Sequence, residues 1–457
     1  MPRSPSPTSE PFVPEHPHLQ ALNDAISSKA LPCSSGVFAV QPDDLILYYG
    51  TKEPNSKGLG RIDFTSHTDD EIKHLADSCD VATFGRGGED VHDESYRKAG
   101  KLDKRHFASN FCPELSGLMH VIRHNVLEGH NGKALKVELY KLNVYGPGSF
   151  FKAHKDTPRA DNMIASLVVV LPTRHDGGAL VLRHEGREFK FESAKILAQP
   201  QAPSVAYAAF YGDVEHEVEP VVSGSRVTLT YNIYLIDSVT KHVQPDTAYE
   251  LALKDAFRAL LQDKEYLPEG GLVGFGLRHE YPIDVFSVTG RYDDRDREQW
   301  TVDKLLGTLK GSDAILQKAC ADLGLKASLR ILYFESQSRA IAMSKCVMYA
   351  GYGGGEDVWF TEEVVSDGFG VLIRDYQGKT QATANENDTE ANVEANTEDE
   401  NKKLVTVHWA TRMRASDIDK IVTPTIAYGN NAFLYKVYST LCLIVEVEPA
   451  ESRLIVA

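Results

Sequence analysis

Residues 135–236 contain eight short β-prone runs with turn residues between them, at 135–144, 150–154, 164–171, 179–184, 188–191, 204–210, 214–222 and 226–236. Strands this short, spaced this regularly, fit a jelly-roll barrel with a site at its mouth. The run at 164–171 includes Leu167-Val168-Val169-Val170-Leu171 and does not alternate, as expected of a strand covered on both faces. The run from Val214 alternates strictly. Val214, His216, Val218 and Pro220 share one face, and Glu215, Glu217 and Glu219 share the other. Ser223-Gly224 then signals a turn into a returning strand, with Val227, Leu229, Tyr231 and Ile233 on one face and Arg226 and Thr228 on the other.

Chemistry-bearing residues fall on this frame. In Phe150-Phe151-Lys152-Ala153-His154-Lys155-Asp156 a histidine and a carboxylate stand two apart, so in extended chain both point the same way. A surface turn is the plainer account of such a triplet taken alone. His216 occupies the inward row of its strand, where a hydrogen-bonded core histidine is the competing reading. Two imidazoles and one carboxylate on a single side of a metal leave the opposite positions open, which suits ferrous iron in oxygen chemistry. Arg226 beside Thr228 offers two parallel charge-assisted bonds and a hydroxyl, enough to grip a carboxylate. Pairing with an acidic side chain of the protein is the alternative.

These motifs carry a family resemblance. Tyr145-Gly146-Pro147-Gly148 leading into His154-Lys155-Asp156, Gly177-Gly178-Ala179-Leu180, and Asp213 to Val218 followed by Gly224-Ser225-Arg226 resemble the catalytic core of the Fe(II)- and 2-oxoglutarate-dependent oxygenases of prolyl 4-hydroxylase type. The resemblance covers well under half of the chain. It implies that His154, Asp156 and His216 bind the metal and that Arg226 anchors the far carboxylate of 2-oxoglutarate. Thr228 matches a hydroxyl that some members place after the arginine, and Tyr145 aligns loosely with a cosubstrate-contacting tyrosine. Related halogenating enzymes have a small residue in place of the carboxylate, so Asp156 favours a hydroxylase. The implied activity is a dioxygenase that hydroxylates a C–H bond of a prolyl residue in a protein or peptide. It would use Fe(II), 2-oxoglutarate and O2, with ascorbate as reductant, and release succinate and CO2. A small-molecule or free amino acid hydroxylase and a non-catalytic metal-binding interaction protein are the alternatives.

At 457 residues the chain exceeds what one core holds. The expected class is α+β: a double-stranded β-helix (jelly-roll) core with flanking helices and a C-terminal α+β accessory domain or degenerate partner barrel. The expected division is a disordered start at 1–18, an oxygenase domain at 19–237 with its core at 135–236, and an accessory domain at 238–457. A disordered insertion is expected at 378–403, rich in Asn, Thr, Ala and Glu. Helices are expected at 19–28, 114–127, 247–261 and 302–323. Accessory strands are expected at 327–334, 358–360, 370–373, 404–408 and 438–448.

A net charge of -16 argues against nucleic acid as a partner, and the basic residues from Lys98 to Arg105 read as a solvated face. No stretch is apolar enough for a signal peptide or a membrane span. The six cysteines, at 33, 79, 112, 320, 346 and 442, lack paired spacing. They read as free thiols of a reducing compartment, cytoplasmic or nuclear. His120 and His124 stand at helical metal-pair spacing without a catalytic glutamate between them, and read as a helix face. His279 and His408 read as lone histidines. The glycine clusters at 84–90 and 351–357 lack the Gly-Lys-Ser/Thr ending of a phosphate loop, and read as flexible loops.

Overall fold

The computed structural model describes residues 12–27, 33–50, 58–86, 89–126, 128–130, 133–198, 202–238, 246–284, 301–334, 341–346, 370–374, 404–412, 428–429 and 436–453. The eight runs become β1 (Lys133–Tyr145), β2 (Phe150–His154), β3 (Met163–Val170), β4 (Leu180–His184), β5 (Arg187–Phe191), β6 (Ser204–Tyr211), β7 (Glu215–Val218) and β8 (Arg226–Asp237). One sheet contains β6-β3-β8-β1 in that order, and the other contains β5-β4-β7-β2. The chain therefore passes back and forth between two facing sheets, which is the topology of a double-stranded β-helix. Strand Cys33–Ala39 extends the first sheet beyond β6, Gly100–Asp103 extends it beyond β1, and Arg97–Lys98 extends the second beyond β2.

Burial follows the sequence pattern. Strand β3 lies between β6 and β8, and Ile164, Ala165, Leu167 and Val169 are each at most 1% exposed. The alternation from Val214 places Val214, His216 and Val218 inward. The expected single run at 214–222 is instead two strands, Glu215–Val218 and Val221–Gly224, interrupted at Pro220, whose ring nitrogen has no hydrogen for a ladder. The second piece pairs with His175–Gly177. Gly224 adopts φ +69, and a Cβ there would lie 2.1 Å from the Arg174 carbonyl oxygen. Only glycine can make that turn and start β8 at Arg226 in register with Tyr145.

Six further strands close a barrel: β9 (Gly271–Asp284), β10 (Lys326–Phe334), β11 (Ile341–Ser344), β12 (Gly370–Arg374), β13 (Val405–Thr411) and β14 (Lys436–Val447), in the order β9-β13-β12-β11-β10-β14. Helices α2 (Ala248–Gln262) and α3 (Gly311–Asp322) pack on it. So does α1 (Pro17–Ser27), whose Leu19, Leu22 and Ile26 enter the barrel core beside Leu253 and Phe257. The sequence reading groups this helix with the first domain, but its apolar face is covered by the second. Tyr249 Oη donates to the Ile26 carbonyl at 3.1 Å, and His16 stacks on Tyr266 with ring centroids 4.2 Å apart.

Other expectations are corrected locally. The helix expected at 302–323 is a 3-10 turn, Val302–Thr308, followed by α3, with a break at Lys310-Gly311 where Gly311 takes φ +48. The break lets Gly311 N donate to Tyr211 Oη at 3.1 Å and sends the Lys310 side chain into the jelly roll. The first glycine cluster is a hairpin, not a free loop: Phe84–Arg86 pairs with Glu89–Val91 and with Tyr428–Gly429. The helix expected at 114–127 runs from Leu118 to Val126, after Gly117 at φ +90. The second glycine cluster, the strand at 358–360 and the insertion at 378–403 lie outside the described residues.

Candidate metal and cosubstrate site

Strand β2 ends at His154, and the next turn is fixed where Asp156 N donates to the Gly212 carbonyl at 3.2 Å. His154 stands opposite His216 across the β2/β7 ladder, with ring centroids 4.2 Å apart. Each ring bonds through Nδ1 to a carbonyl two residues earlier in its own chain, Lys152 O at 2.8 Å for His154 and Val214 O at 3.0 Å for His216. A carbonyl only accepts, so Nδ1 carries the proton in both rings, and Nε2 keeps the lone pair a metal needs. Asp156 Oδ2 accepts from Ser166 Oγ of β3, and its Oδ1 lies 3.7 Å from His216 Nε2. That separation is too long for a hydrogen bond. One ligand atom from each of the three residues falls within 4.8 Å of the others, and all three residues are buried. Phe151 stacks on His154 at 3.6 Å and Phe210 flanks His216 at 4.7 Å, which fixes both rings. Two oriented imidazoles and a buried carboxylate on one side fit a divalent ion with open opposite positions.

Arg226 is 1% exposed, and its Nε and Nη2 have no hydrogen-bond partner. Burial pushes the guanidinium down to about 10, which leaves it charged near neutrality, with its carbon 5.6 Å from the centre of the Tyr145 ring. A buried cation without a counterion costs several kcal/mol in real proteins, so this one calls for an anion from outside. Room for its stem comes from Gly178, where a Cβ would lie 3.0 Å from Arg226 Cδ. Thr228 is 1% exposed one rung along β8. Arg226, Thr228, Tyr145 and the His154–Asp156–His216 group line one cavity of about 560 Å3 including its open mouth. The structure thus brings together all six residues singled out in the sequence, and the orphaned guanidinium fits the distal carboxylate of a 2-oxo diacid.

Several residues at this site carry no local sequence signal. Ser166 reaches Asp156 from β3, and Arg97 and Lys141 line the same cavity. His279 is not a lone histidine, because it joins His184 and Asp213 in a second group with ligand atoms within 4.8 Å. Asp213 Oδ1 accepts from Lys310 Nζ at 2.9 Å, and Oδ2 accepts from Glu280 N and pairs with His279 Nδ1, each at 3.0 Å. Burial opposes the Asp213 carboxylate, but Lys310, His279 and His184 outweigh it and hold the group well below the ordinary carboxylate range. Lys310 already supplies the positive charge a metal would bring.

The same barrel segment also grips β2. Lys155, between His154 and Asp156, donates to both Glu280 oxygens at 2.6 Å. Segment 278–280 lies in β9, beside its register shift between Gly276 and Glu280. It is held in turn by Asp313, which accepts from the backbone N of Arg278 and His279 at 3.0 Å each. His408 is in neither group; its ring lies edge-on to Tyr266 at 6.2 Å. His120 belongs to no metal-competent group among the described residues.

Comparison with known proteins agrees with the motif resemblance in the core. Residues 140–234 match the family model described as the 2OG-Fe(II) oxygenase superfamily, a family of oxidoreductases. Three solved structures are similar at low identity. A Burkholderia pseudomallei oxidoreductase of the 2OG-Fe(II) oxygenase family is 22% identical over 22% of this chain and 45% of its own, with TM-score 0.18. This chain therefore spans less than half the length of that protein. A Pseudomonas putida prolyl-4-hydroxylase is 19% identical over 47% of this chain and 98% of its own, with TM-score 0.25. A Trichoplax adhaerens prolyl hydroxylase, solved with a hypoxia inducible factor peptide fragment, is 15% identical over 48% and 88%, with TM-score 0.26. No curated protein matches the sequence.

Proposed function

We propose that this protein is an Fe(II)- and 2-oxoglutarate-dependent dioxygenase that hydroxylates a C–H bond, with a prolyl residue of a protein or peptide as substrate. The observation that carries this reading is the buried Arg226 guanidinium, with two unpartnered nitrogens, in the same cavity as His154, Asp156 and His216. A core histidine pair needs no such cation nearby, whereas a diacid cosubstrate does. The family match at 140–234 supports the same class. The prolyl substrate follows the motif resemblance alone.

His154, Asp156 and His216 would hold the metal, which together with 2-oxoglutarate and O2 supplies oxidative decarboxylation to succinate and CO2 coupled to hydroxylation. The chain's own groups do the positioning. The Nδ1 bonds to Lys152 O and Val214 O aim both imidazoles with Nε2 toward the ion, Ser166 orients the Asp156 carboxylate, and Arg226 with Thr228 fixes the cosubstrate's far end. Phe151 and Phe210 wall the histidines and limit water. Ascorbate is the expected reductant in turnover. All six cysteines are free, which supports a reducing compartment, cytoplasmic or nuclear. No helix among the described residues is long and apolar enough to cross a membrane.

The test is succinate formation from 2-oxoglutarate by protein purified without oxygen, then supplied with ferrous iron, ascorbate and air. Proline-containing peptides and free amino acids would be added in parallel. Turnover by the wild type and none by His154→Ala is the expected result. Turnover that survives His154→Ala would sink the assignment, and stimulation by free amino acids alone would move the substrate to the small-molecule class.

A further inference from the structure

The cavity opens to solvent along one row. Of the described residues that line it, only Tyr140, Val168 and Thr230 are partly exposed; the others, Arg226 and the metal group included, are buried. The three are neighbours in one sheet. Thr230 of β8 pairs with Val168 of β3 on one side and, on the other, with Lys141 of β1, the residue after Tyr140. Along β8 the wall therefore runs from Arg226 and Thr228, each 1% exposed, to Thr230 at the opening. A primary substrate meets this row before it reaches the metal group.

Tyr140 belongs to the row because β1 is irregular there. Leu139 pairs with Tyr231 and Lys141 with Thr230, so Tyr140 is an extra residue without a counterpart on β8. In regular strand Tyr140 and Lys141 would face opposite sides, yet both line the cavity. A bulge of this kind re-aims a side chain beside a site. Two cations then hold the ring: Lys141 Nζ lies 4.5 Å from its centre and Arg159 Cζ 4.1 Å. Arg159 is exposed and stands three residues after Asp156, on the segment that leaves the metal group.

The polar groups at this opening are donors. Arg159 and Lys141 only donate, and the hydroxyls of Tyr140 and Thr230 each carry a proton. Thr230 Oγ1 accepts from Asn143 Nδ2 at 3.3 Å. The acceptor side chains of the lining are committed elsewhere. Asn143 Oδ1 accepts from Arg97 Nη2 at 2.9 Å, and Asp156 accepts from Ser166 and belongs to the metal group. A ligand carbonyl brought here finds donors, whereas a ligand N–H finds no uncommitted carboxylate or side-chain amide oxygen. Burying such an N–H without an acceptor weakens binding by roughly tenfold. Proline has no N–H, and the X–Pro bond still offers its carbonyl oxygen.

We propose that Tyr140, Arg159 and Thr230 form the rim that binds the primary substrate, and that it prefers a tertiary amide, the X–Pro bond of a peptide, whose carbonyl they hold and which has no N–H to leave unpaired. Val168 supplies the apolar contact of the same row. The role of the rim in turnover rests on the dioxygenase activity proposed above.

The test uses full-length protein loaded with Mn(II) and 2-oxoglutarate under argon. The probes are capped pentapeptides of alanine whose central residue is proline, N-methylalanine or alanine. Broadening of the central residue's proton resonances by the bound Mn(II) gives each affinity without turnover. The proline and N-methylalanine peptides should bind at least tenfold more tightly than the alanine peptide. Arg159→Met with Tyr140→Phe, which removes the guanidinium and the hydroxyl but keeps the stem and the ring, should weaken the proline peptide at least tenfold. The same double variant should keep its Mn(II) and 2-oxoglutarate affinities within twofold, which a general loss of structure would not allow. Arg159→Glu puts an acceptor at the rim and should cut the preference for proline at least threefold.

Equal binding of all three peptides overturns the preference for a missing N–H, and so does binding of proline alone, which would make ring shape the property selected. Proline-peptide affinity unchanged in the double variant overturns the rim, as does a tenfold loss of 2-oxoglutarate affinity there, which would assign these residues to the cosubstrate. No binding of any peptide by protein that holds Mn(II) and 2-oxoglutarate overturns the rim and leaves the dioxygenase reading standing. Failure of the wild type to bind Mn(II) or 2-oxoglutarate sinks that reading and the rim with it.

Discussion

Two clusters in this molecule have the same composition, two histidines and one aspartate with ligand atoms within 4.8 Å of one another. His154, Asp156 and His216 face a cavity that also holds a guanidinium with two unpartnered nitrogens. His184, Asp213 and His279 face Lys310, whose ammonium lies 2.9 Å from Asp213 Oδ1. The first group lines a cavity shared with a buried guanidinium, and the second has a lysine bonded to its carboxylate. A donor set alone therefore does not make a site. What distinguishes the two is whether the chain supplies the compensating charge itself.

The largest expected effect tests that distinction directly. Asp156→Ala should abolish both succinate formation and stoichiometric metal binding, whereas His279→Ala should leave one bound metal per chain and most of the turnover. Elemental analysis after equilibration with Mn(II) reads both. Two metals per chain in the wild type would erase the difference between the clusters.

Next in size is stability. Lys310→Met leaves the Asp213 carboxylate buried without its ammonium, a loss of about 3–5 kcal/mol for a broken buried pair. Arg226→Met removes a buried cation whose Nε and Nη2 have no hydrogen-bond partner, and should be neutral or stabilising while it weakens 2-oxoglutarate binding. Thermal unfolding of the two variants should therefore move in opposite directions or differ widely. The pH dependence has a definite sign. The folded-state pKa of Asp213 is depressed well below 3.8, so its contribution to stability is complete above that value and is lost only as pH falls through the lower, folded-state pKa. In wild type this acid-side loss should be present, and in Asp213→Asn it should shrink. Equal acid sensitivity in both would remove Asp213 from the account.

The asymmetry between the clusters also explains how much was legible in the sequence. Metal-group residues lie on strands whose period of two is a local property, so His154, His216, Arg226 and Thr228 could be placed on faces before any pairing was known. Gly177-Gly178 and Gly224 were recognisable because positive φ and close approach leave a residue-type signature. The second cluster depends on contacts between residues 66 and 97 positions apart, Asp213 with His279 and with Lys310, and no local pattern marks such a meeting. The burial of Arg97 has no local mark for the same reason, since its bond to Asn143 spans 46 positions. The placement of α1 rests on contacts such as Ile26 with Tyr249, 223 positions apart. The interruption at Pro220 is different, because its signal was in the sequence and alternation was allowed to outrank it.

A smaller effect is expected at Thr228, one rung from Arg226. Thr228→Val keeps the shape and removes the hydroxyl, which should cost about 1 kcal/mol of 2-oxoglutarate affinity, the net worth of one ordinary hydrogen bond. Calorimetry on Mn(II)-loaded protein checks this. A loss as large as that in Arg226→Ala would mean that the hydroxyl, rather than the guanidinium, is the main anchor.

The smallest effect tests whether the two regions are independent. Glu280 holds Lys155 by both carboxylate oxygens at 2.6 Å, and Lys155 separates His154 from Asp156. The pair is partly exposed, 34% for the lysine and 15% for the glutamate, so solvent screening limits it to about 1 kcal/mol. Glu280→Gln should therefore weaken metal affinity by about fivefold, the equivalent of that energy. It should leave 2-oxoglutarate affinity of the metal-saturated protein unchanged, because Arg226 stands on the facing sheet. An unchanged metal affinity would reduce the barrel to a cover over the jelly roll. A loss far above tenfold, with thermal stability intact, would mean that the saturated junction sets the geometry of the open cluster, and the two would have to be treated as one site.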